Sequence, residues 1–71
     1  MTLVQLRQFI ALAKVGSFVK AADVLCMTQP ALSRSIKQLE DELGAPLFLR
    51  DNRSVRLTRE GHQFREYASE V

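Results

Sequence analysis

The stretch TQPALSRSIKQLEDEL, from Thr28 to Leu43, carries both a helix start and a helix stop, so the rest of a short chain has to be arranged around one long helix. Thr28 can cap the first free backbone N–H groups. Pro30 is tolerated in the first turn because its missing donor would have no partner there, and Gly44 suits the left-handed residue beyond the last turn. At about 100° per residue, Leu32, Ile36, Leu39 and Leu43 fall on one stripe, the spacing of a face turned to a core. The opposite side carries Pro30, Arg34, Lys37 and Asp41, flanked by Ser33 and Gln38, with Gln29 at the N-terminal tip. The acids Glu40, Asp41 and Glu42 gather in the last turns with the cations Arg34 and Lys37 upstream, the reverse of what the helix dipole prefers. That order predicts a helix whose N-terminal half is offered to a polyanion.

A chain of 71 residues makes one small domain, which buries only about 60% of its unfolded surface and therefore needs a compact, helix-dominated core. An apolar fraction of 46% and a charged fraction of 25% fit a soluble globular protein, and no run reaches the roughly 20 apolar residues of a membrane helix. Met1 to Arg7 lacks a basic start followed by an apolar stretch, so a cytoplasmic setting is expected. Cys26, with no second cysteine to pair with, is expected to be a small buried hydrophobe. Net charge is only +2, but Arg50, Arg53, Arg56 and Arg59 meet the single acid Asp51 over that stretch. Such a cluster is either a polyanion-facing surface or a solvated face.

Thr2 and Gln5 have capping-box spacing and open a first helix whose apolar positions are Leu3, Leu6, Phe9, Ile10 and Ala13, with Arg7, Gln8 and Lys14 pointing away. Gly16 ends it, and Ser17 starts a short second helix with Ala21, Ala22 and Leu25 inward. The small alanines permit a close crossing, and the connection Cys26-Met27-Thr28 is short enough to fix a helix-turn-helix pair. Pro46 forbids further helix. Leu47 to Arg50 and Val55 to Leu57 read as two strands around the turn-forming Asp51-Asn52-Arg53-Ser54. Thr58 then caps a fourth helix with Phe64, Tyr67, Ala68 and Val71 three or four apart, an apolar stripe still incomplete at Val71, as expected of a longer protein. The predicted fold class is mainly α: a winged helix-turn-helix, three helices plus a two-stranded β-hairpin wing, followed by a linker helix.

The residues themselves resemble a known family. AADVLCMTQPALSRSIKQLEDELGAPLFLR, from Ala21 to Arg50, followed by RLTREG from Arg56 to Gly61, is similar to the LysR-type transcriptional regulators. The paired alanines, the Thr-Gln-Pro-Ala helix start, Leu39-Glu40, Leu43-Gly44, Leu47-Phe48, Arg50, Leu57-Thr58 and Gly61 stand together at unbroken spacing. The resemblance implies an N-terminal DNA-binding domain over 1–58, with the helix-turn-helix at about 18–37, and the start of a linker and dimerisation helix at 59–71. It also implies a C-terminal effector-binding domain outside this chain, to which a small-molecule inducer binds, with no cofactor in the present domain. The expected partners are double-stranded promoter or operator DNA, and a homodimer or homotetramer formed through the linker helix. The recognition helix 29–43 would lie in the major groove and the wing 50–56 at the minor groove.

Residue by residue, the resemblance sets Gln29, Pro30, Ser33 and Arg34 at base edges, Lys37, Thr28, Ser17, Lys20 and Arg50 on the DNA backbone, and Arg53 at the wing's minor-groove position. Phe64, Tyr67, Ala68 and Val71 form the dimerisation stripe. The chemistry agrees for Arg34, whose planar fork can take guanine O6 and N7 together, and for Gln29, whose amide can do the same with adenine. For Ser33 and Lys20 an ordinary solvated helix residue competes with the contact. Two positions depart from the family pattern: Ser54 stands where glycine is frequent, and Asp51 puts an acid beside Arg50. A catalytic or metal site is not expected, because His62 is the single histidine and has no partner at ligand or triad spacing. A winged helix that binds protein through its fourth helix is the alternative, and RNA is disfavoured because the aromatics mostly fall on inward faces. If Arg53 enters an A·T minor groove, Arg53→Ala should lose more affinity on sites with A·T flanks than on sites with G·C flanks, measured by fluorescence anisotropy. Equal losses would reduce it to a phosphate contact.

Overall fold

In a computed structural model, which describes residues 1–51 and 54–70, the chain forms α1 (Leu3–Val15), α2 (Phe18–Val24), α3 (Gln29–Leu43), β1 (Phe48–Arg50), β2 (Val55–Leu57) and α4 (Arg59–Ser69). The local signals in the sequence account for these limits. The Thr2/Gln5 capping box forms at the start of α1, and Ser17, Thr28 and Thr58 each cap the helix that follows through the side-chain oxygen. Gly16 and Gly44 close α1 and α3 in the left-handed conformation, at φ 74° and 73°. The two strands pair antiparallel with Phe48 opposite Leu57, Leu49 opposite Arg56 and Arg50 opposite Val55.

Leu32, Ile36 and Leu39 of α3 are fully buried against Leu6, Phe9 and Leu12 of α1, the alanines of α2, and Leu47 and Phe48. Phe9 is the hub: its ring centroid lies 5.3 Å from that of Phe48 and 4.9 Å from that of Phe64, the latter edge-to-face. Ala21 and Ala22, both buried, allow α2 to pack on α1 and α3 together.

The segment after α3 is held from two sides. The Glu40 carboxylate accepts the N–H groups of Leu47 (2.7 Å) and Phe48 (3.3 Å). The Thr58 hydroxyl donates to Pro46 O (2.7 Å) and accepts the Gly61 N–H (2.9 Å), while the Thr58 N–H donates to Leu47 O (2.9 Å). These bonds bring α4 so close to the segment that only glycine fits at 61, where an added Cβ would lie 2.1 Å from Leu47 O. On the far side, the Val55 N–H donates to Gly16 O (3.0 Å), tying the hairpin to the turn between α1 and α2.

Several expectations need correction. Leu43 is 40% exposed, because the core under α3 ends at Leu39 and the following turn is occupied by Glu40's bonds. Leu3 is 54% exposed, whereas Leu12, outside the expected face, is fully buried, since α1 is covered on two sides. Gln8 is not turned to solvent: its carbonyl oxygen accepts the Ser35 hydroxyl and its amide lies 3.7 Å from Met27 Sδ, bridging α1 and α3. Cys26 is exposed rather than buried, at φ 56° in the helix-turn-helix turn, and its neighbour Met27 is the residue packed on the core. The three acids closing α3 also have structural work. Glu40 holds the next segment, Asp41 pairs with Lys37 and Glu42 pairs with the Met1 ammonium, which explains their position against the dipole without reference to any ligand.

Gly61→Ala should therefore lower stability by about 1–3 kcal/mol, the range of an overpacked site, although alanine is the better helix former. A urea midpoint measures this, with exposed Gln63→Ala as a control expected to move stability by no more than about 0.5 kcal/mol.

Candidate nucleic-acid interface

The polar side of α3 follows directly from the burial of its apolar side. With Leu32, Ile36 and Leu39 in the core, Gln29, Pro30, Arg34 and Lys37 are exposed on the outer surface, and Ser33 is half-buried at its edge. Thr28 Oγ1 accepts the Ala31 N–H at 3.2 Å and Ser17 Oγ accepts the Lys20 N–H at 3.3 Å. Each capping hydroxyl keeps its own proton to donate outward.

A cleft of about 250 Å³ opens where α2, α3 and the hairpin meet, and it brings together Ser17, Phe18, Gln29, Ser33, Arg50, Ser54 and Val55. Residues far apart in sequence thus share one small surface. The Arg50 guanidinium carbon lies 4.6 Å from the Phe18 ring centroid, within cation–π range. Its Nη1 reaches Ser33 Oγ at 3.5 Å, a long contact that joins the wing to α3. Lys20 sits apart, beside Gln29 over a shallow depression shared with Asp23 and Met27.

Two charges are placed differently from the sequence reading. Lys37 Nζ pairs with Asp41 Oδ1 at 3.0 Å, with the two side chains 67% and 63% exposed. An exposed i,i+4 pair is worth about 0.3–0.5 kcal/mol, so an arriving phosphate could displace it readily. Asp51 does not sit idle beside Arg50: its carboxylate accepts the Ser54 N–H at 3.0 Å and the Ser54 hydroxyl at 3.2 Å, and its own N–H donates to Ser54 O at 3.1 Å. Ser54 thereby closes the turn through a side-chain bond that glycine could not make. The Asp-x-x-Ser pattern was a readable turn signal; the Phe18–Arg50 stack, made between distant residues, had no local signal. Arg53 lies outside the described residues.

The expected dimerisation stripe divides. Phe64 is half-buried against Phe9 and Ala68 is buried, so both belong to the domain's own core, while Tyr67 is 55% exposed. Val71 lies outside the described residues. Phe64 and Ala68 are thus spent within the domain, and an apolar groove of about 940 Å³, lined by Leu3, Leu6, Ile10, Val15, Val24 and Ala68, runs along α1 with Leu3 and Val24 exposed in it. Among the described residues no group of His, Cys, Asp and Glu could hold a metal ion, and no helix is long and apolar enough to cross a membrane.

A polar helix face left bare beside a two-stranded wing makes this a winged helix-turn-helix protein. Residues 3–62 match the bacterial regulatory helix-turn-helix proteins of the lysR family. The chain is 53% identical over 68 residues to the HTH-type transcriptional regulator BenM of Acinetobacter baylyi, covering 96% of this chain and 22% of that protein. It is 46% identical over 71 residues to BudR of Klebsiella aerogenes, covering all of this chain and 50% of that protein. Among solved structures, a BenM_DBD complex with benA site 1 DNA superposes with a TM-score of 0.93 at 51% identity, over 99% of this chain and 79% of that one. A CbnR_DBD–DNA complex gives 0.95 at 40% identity, over 99% and 80%. The chain belongs to the lysR family of bacterial regulatory helix-turn-helix proteins.

If Asp51 is the brace of the wing turn, Asp51→Ala should speed hydrogen exchange at the Ser54 and Val55 amides while leaving the amides of α3 unchanged, measured by NMR. Unchanged exchange at Ser54 would show that the turn does not need the carboxylate.

Proposed function

We propose that this chain is the DNA-binding domain of a LysR-type transcriptional regulator and binds double-stranded DNA with sequence preference. The N-terminal half of α3 would enter the major groove and the hairpin would follow the adjacent minor groove. The single observation that carries this reading is the bare polar face of α3 from Gln29 to Lys37, with its opposite stripe fully buried and the Arg50 cleft beside it. In this reading Gln29, Pro30, Ser33 and Arg34 meet base edges. Lys37, Thr28, Ser17, Lys20 and Arg50 hold the backbone, and Arg53 serves the minor groove. Its role is binding, not catalysis, in the cytoplasm of a bacterium.

Because the chain spans only 22% and 50% of the two curated relatives, the whole regulator is proposed to carry a further effector domain that takes a small-molecule inducer. The regulator is further proposed to act as a homodimer or homotetramer joined through the α4 region. Support for dimerisation comes from the apolar groove along α1, where Leu3 and Val24 are 54% and 66% exposed, and from Tyr67, exposed on α4. A monomer this small gains from covering such a patch, and Tyr67, the one residue of the α4 stripe exposed among the described residues, is the apolar group that a second copy would offer.

Arg34 tests the readout. If it is bidentate to guanine, Arg34→Ala should cost about 1–3 kcal/mol on a selected site and flatten the preference at one base pair, whereas Lys37→Ala should weaken selected and random DNA alike and lower the salt slope by about one. A uniform loss from Arg34→Ala on all sequences would contradict base reading. Dimerisation has its own test by light scattering at high concentration: Leu3→Glu should reduce association while leaving the fold intact, whereas Phe64→Glu should unfold the domain by placing a charge against Phe9. A wild-type chain that stays monomeric, with and without DNA carrying two half-sites, would remove that part of the proposal.

A further inference from the structure

The Arg50 side chain is a proposed DNA contact that the fold already holds against an aromatic ring. Its guanidinium is stacked at 4.6 Å on the Phe18 ring, with one edge reaching Ser33 Oγ at 3.5 Å, although the residue as a whole is exposed. Most surface arginines keep several rotamers open and lose that freedom when they bind, so an arginine ordered beforehand binds at lower entropic cost. The ring that orders it is itself fixed. Phe18 opens α2 directly after the Ser17 cap, it packs on the core cluster, and the neighbouring Gly16 carbonyl accepts the Val55 N–H. The stack occupies only one face and one edge of the guanidinium, which has five N–H donors, so donors remain for a phosphate.

We propose that Phe18 is a positioning residue for DNA binding: its ring holds Arg50 across the cleft between wing and recognition helix, so that the two elements meet the duplex as one surface. The inference rests on the reading of the domain as a DNA binder. Phe18 touches no nucleic acid itself and acts through Arg50. The Ser33 hydroxyl, accepting from Arg50 through one lone pair, keeps its proton and a second lone pair, so it can still meet either an acceptor or a donor on the DNA.

The test is a double-mutant cycle on a duplex selected from random sequence by the wild-type chain, with binding followed by fluorescence anisotropy over a salt series. Phe18→Leu keeps the apolar bulk and removes the ring, and it should lose about threefold to tenfold in affinity, the value of one pre-ordered long side chain. The salt slope should stay unchanged, because no charge is removed. Arg50→Gln should lower that slope by about one. In the Arg50→Gln background Phe18→Leu should cost nothing further, and with Arg50 present Phe18→Tyr, which keeps a ring, should retain wild-type affinity. In the free protein, the Arg50 Hε resonance should lie upfield under the ring and return to its ordinary position in Phe18→Leu. Should Phe18→Leu fail to fold, Phe18→Met carries the same cycle. Equal losses from the ring deletion in both backgrounds, or no loss in either, would overturn the proposal while DNA binding by the domain still stood. A wild-type chain that selects no duplex would overturn both.

Discussion

The position of the wing depends on how Pro46 to Phe48 is gripped between two helices. Glu40 reaches forward from α3 to take the Leu47 and Phe48 N–H groups, and Thr58 reaches back from the start of α4 to the Pro46 and Leu47 carbonyls. Leu47 and Phe48 are buried, and leaving their backbone groups unpaired would cost about 1–3 kcal/mol each. The segment therefore has one favourable path, and that path delivers Phe48 to Phe9 and Arg50 to Phe18. Gly61 belongs to the same constraint, since the grip requires α4 to approach the Leu47 carbonyl more closely than any side chain would permit.

The proposed function is built on this grip. A helix face of glutamine, serine, arginine and lysine is common on protein surfaces, and by itself it would describe a solvated helix. Here it stands beside a hairpin fixed at both ends, with Val55 tied to Gly16 and Asp51 closing the turn on Ser54. Net charge is only +2, so the surface potential has to come from placement rather than excess. Two of the acids closing α3 are paired with cations and Glu40 is engaged with backbone N–H groups, which leaves Arg34 without an acidic partner among the described residues.

Much of the fold was legible because its punctuation is local. Caps at Thr2, Ser17, Thr28 and Thr58, and stops at Gly16 and Gly44, act within four residues, so reading them needs no knowledge of the tertiary structure. Periodicity gave the buried stripe of α3 but overran it by one turn at Leu43, because how far a core extends is decided by neighbouring elements. The same limit explains α4: spacing identified Phe64 and Ala68 as one face, but only packing shows that α1 already covers it. Cys26 shows the opposite failure. Hydrophobicity suggested burial, and the geometry of a tight helix-turn-helix turn put it outside at positive φ. Of the proposed interface, the α3 residues were readable from one helix; the joining of Ser17, Ser33 and Arg50 around Phe18 was not, since it comes from three elements distant in sequence.

The most direct measurement of whether α3 and the wing form one nucleic-acid surface is amide chemical-shift mapping of the wild-type chain during titration with duplex DNA. The expected result is a contiguous set of shifts at Ser17 to Lys20, Thr28 to Lys37 and the hairpin, diminishing as salt is raised, with the groove lined by Leu3, Leu6 and Ile10 unaffected at low occupancy. Shifts centred on α1 and α4, with α3 silent, would contradict it and make this winged helix a protein-binding module.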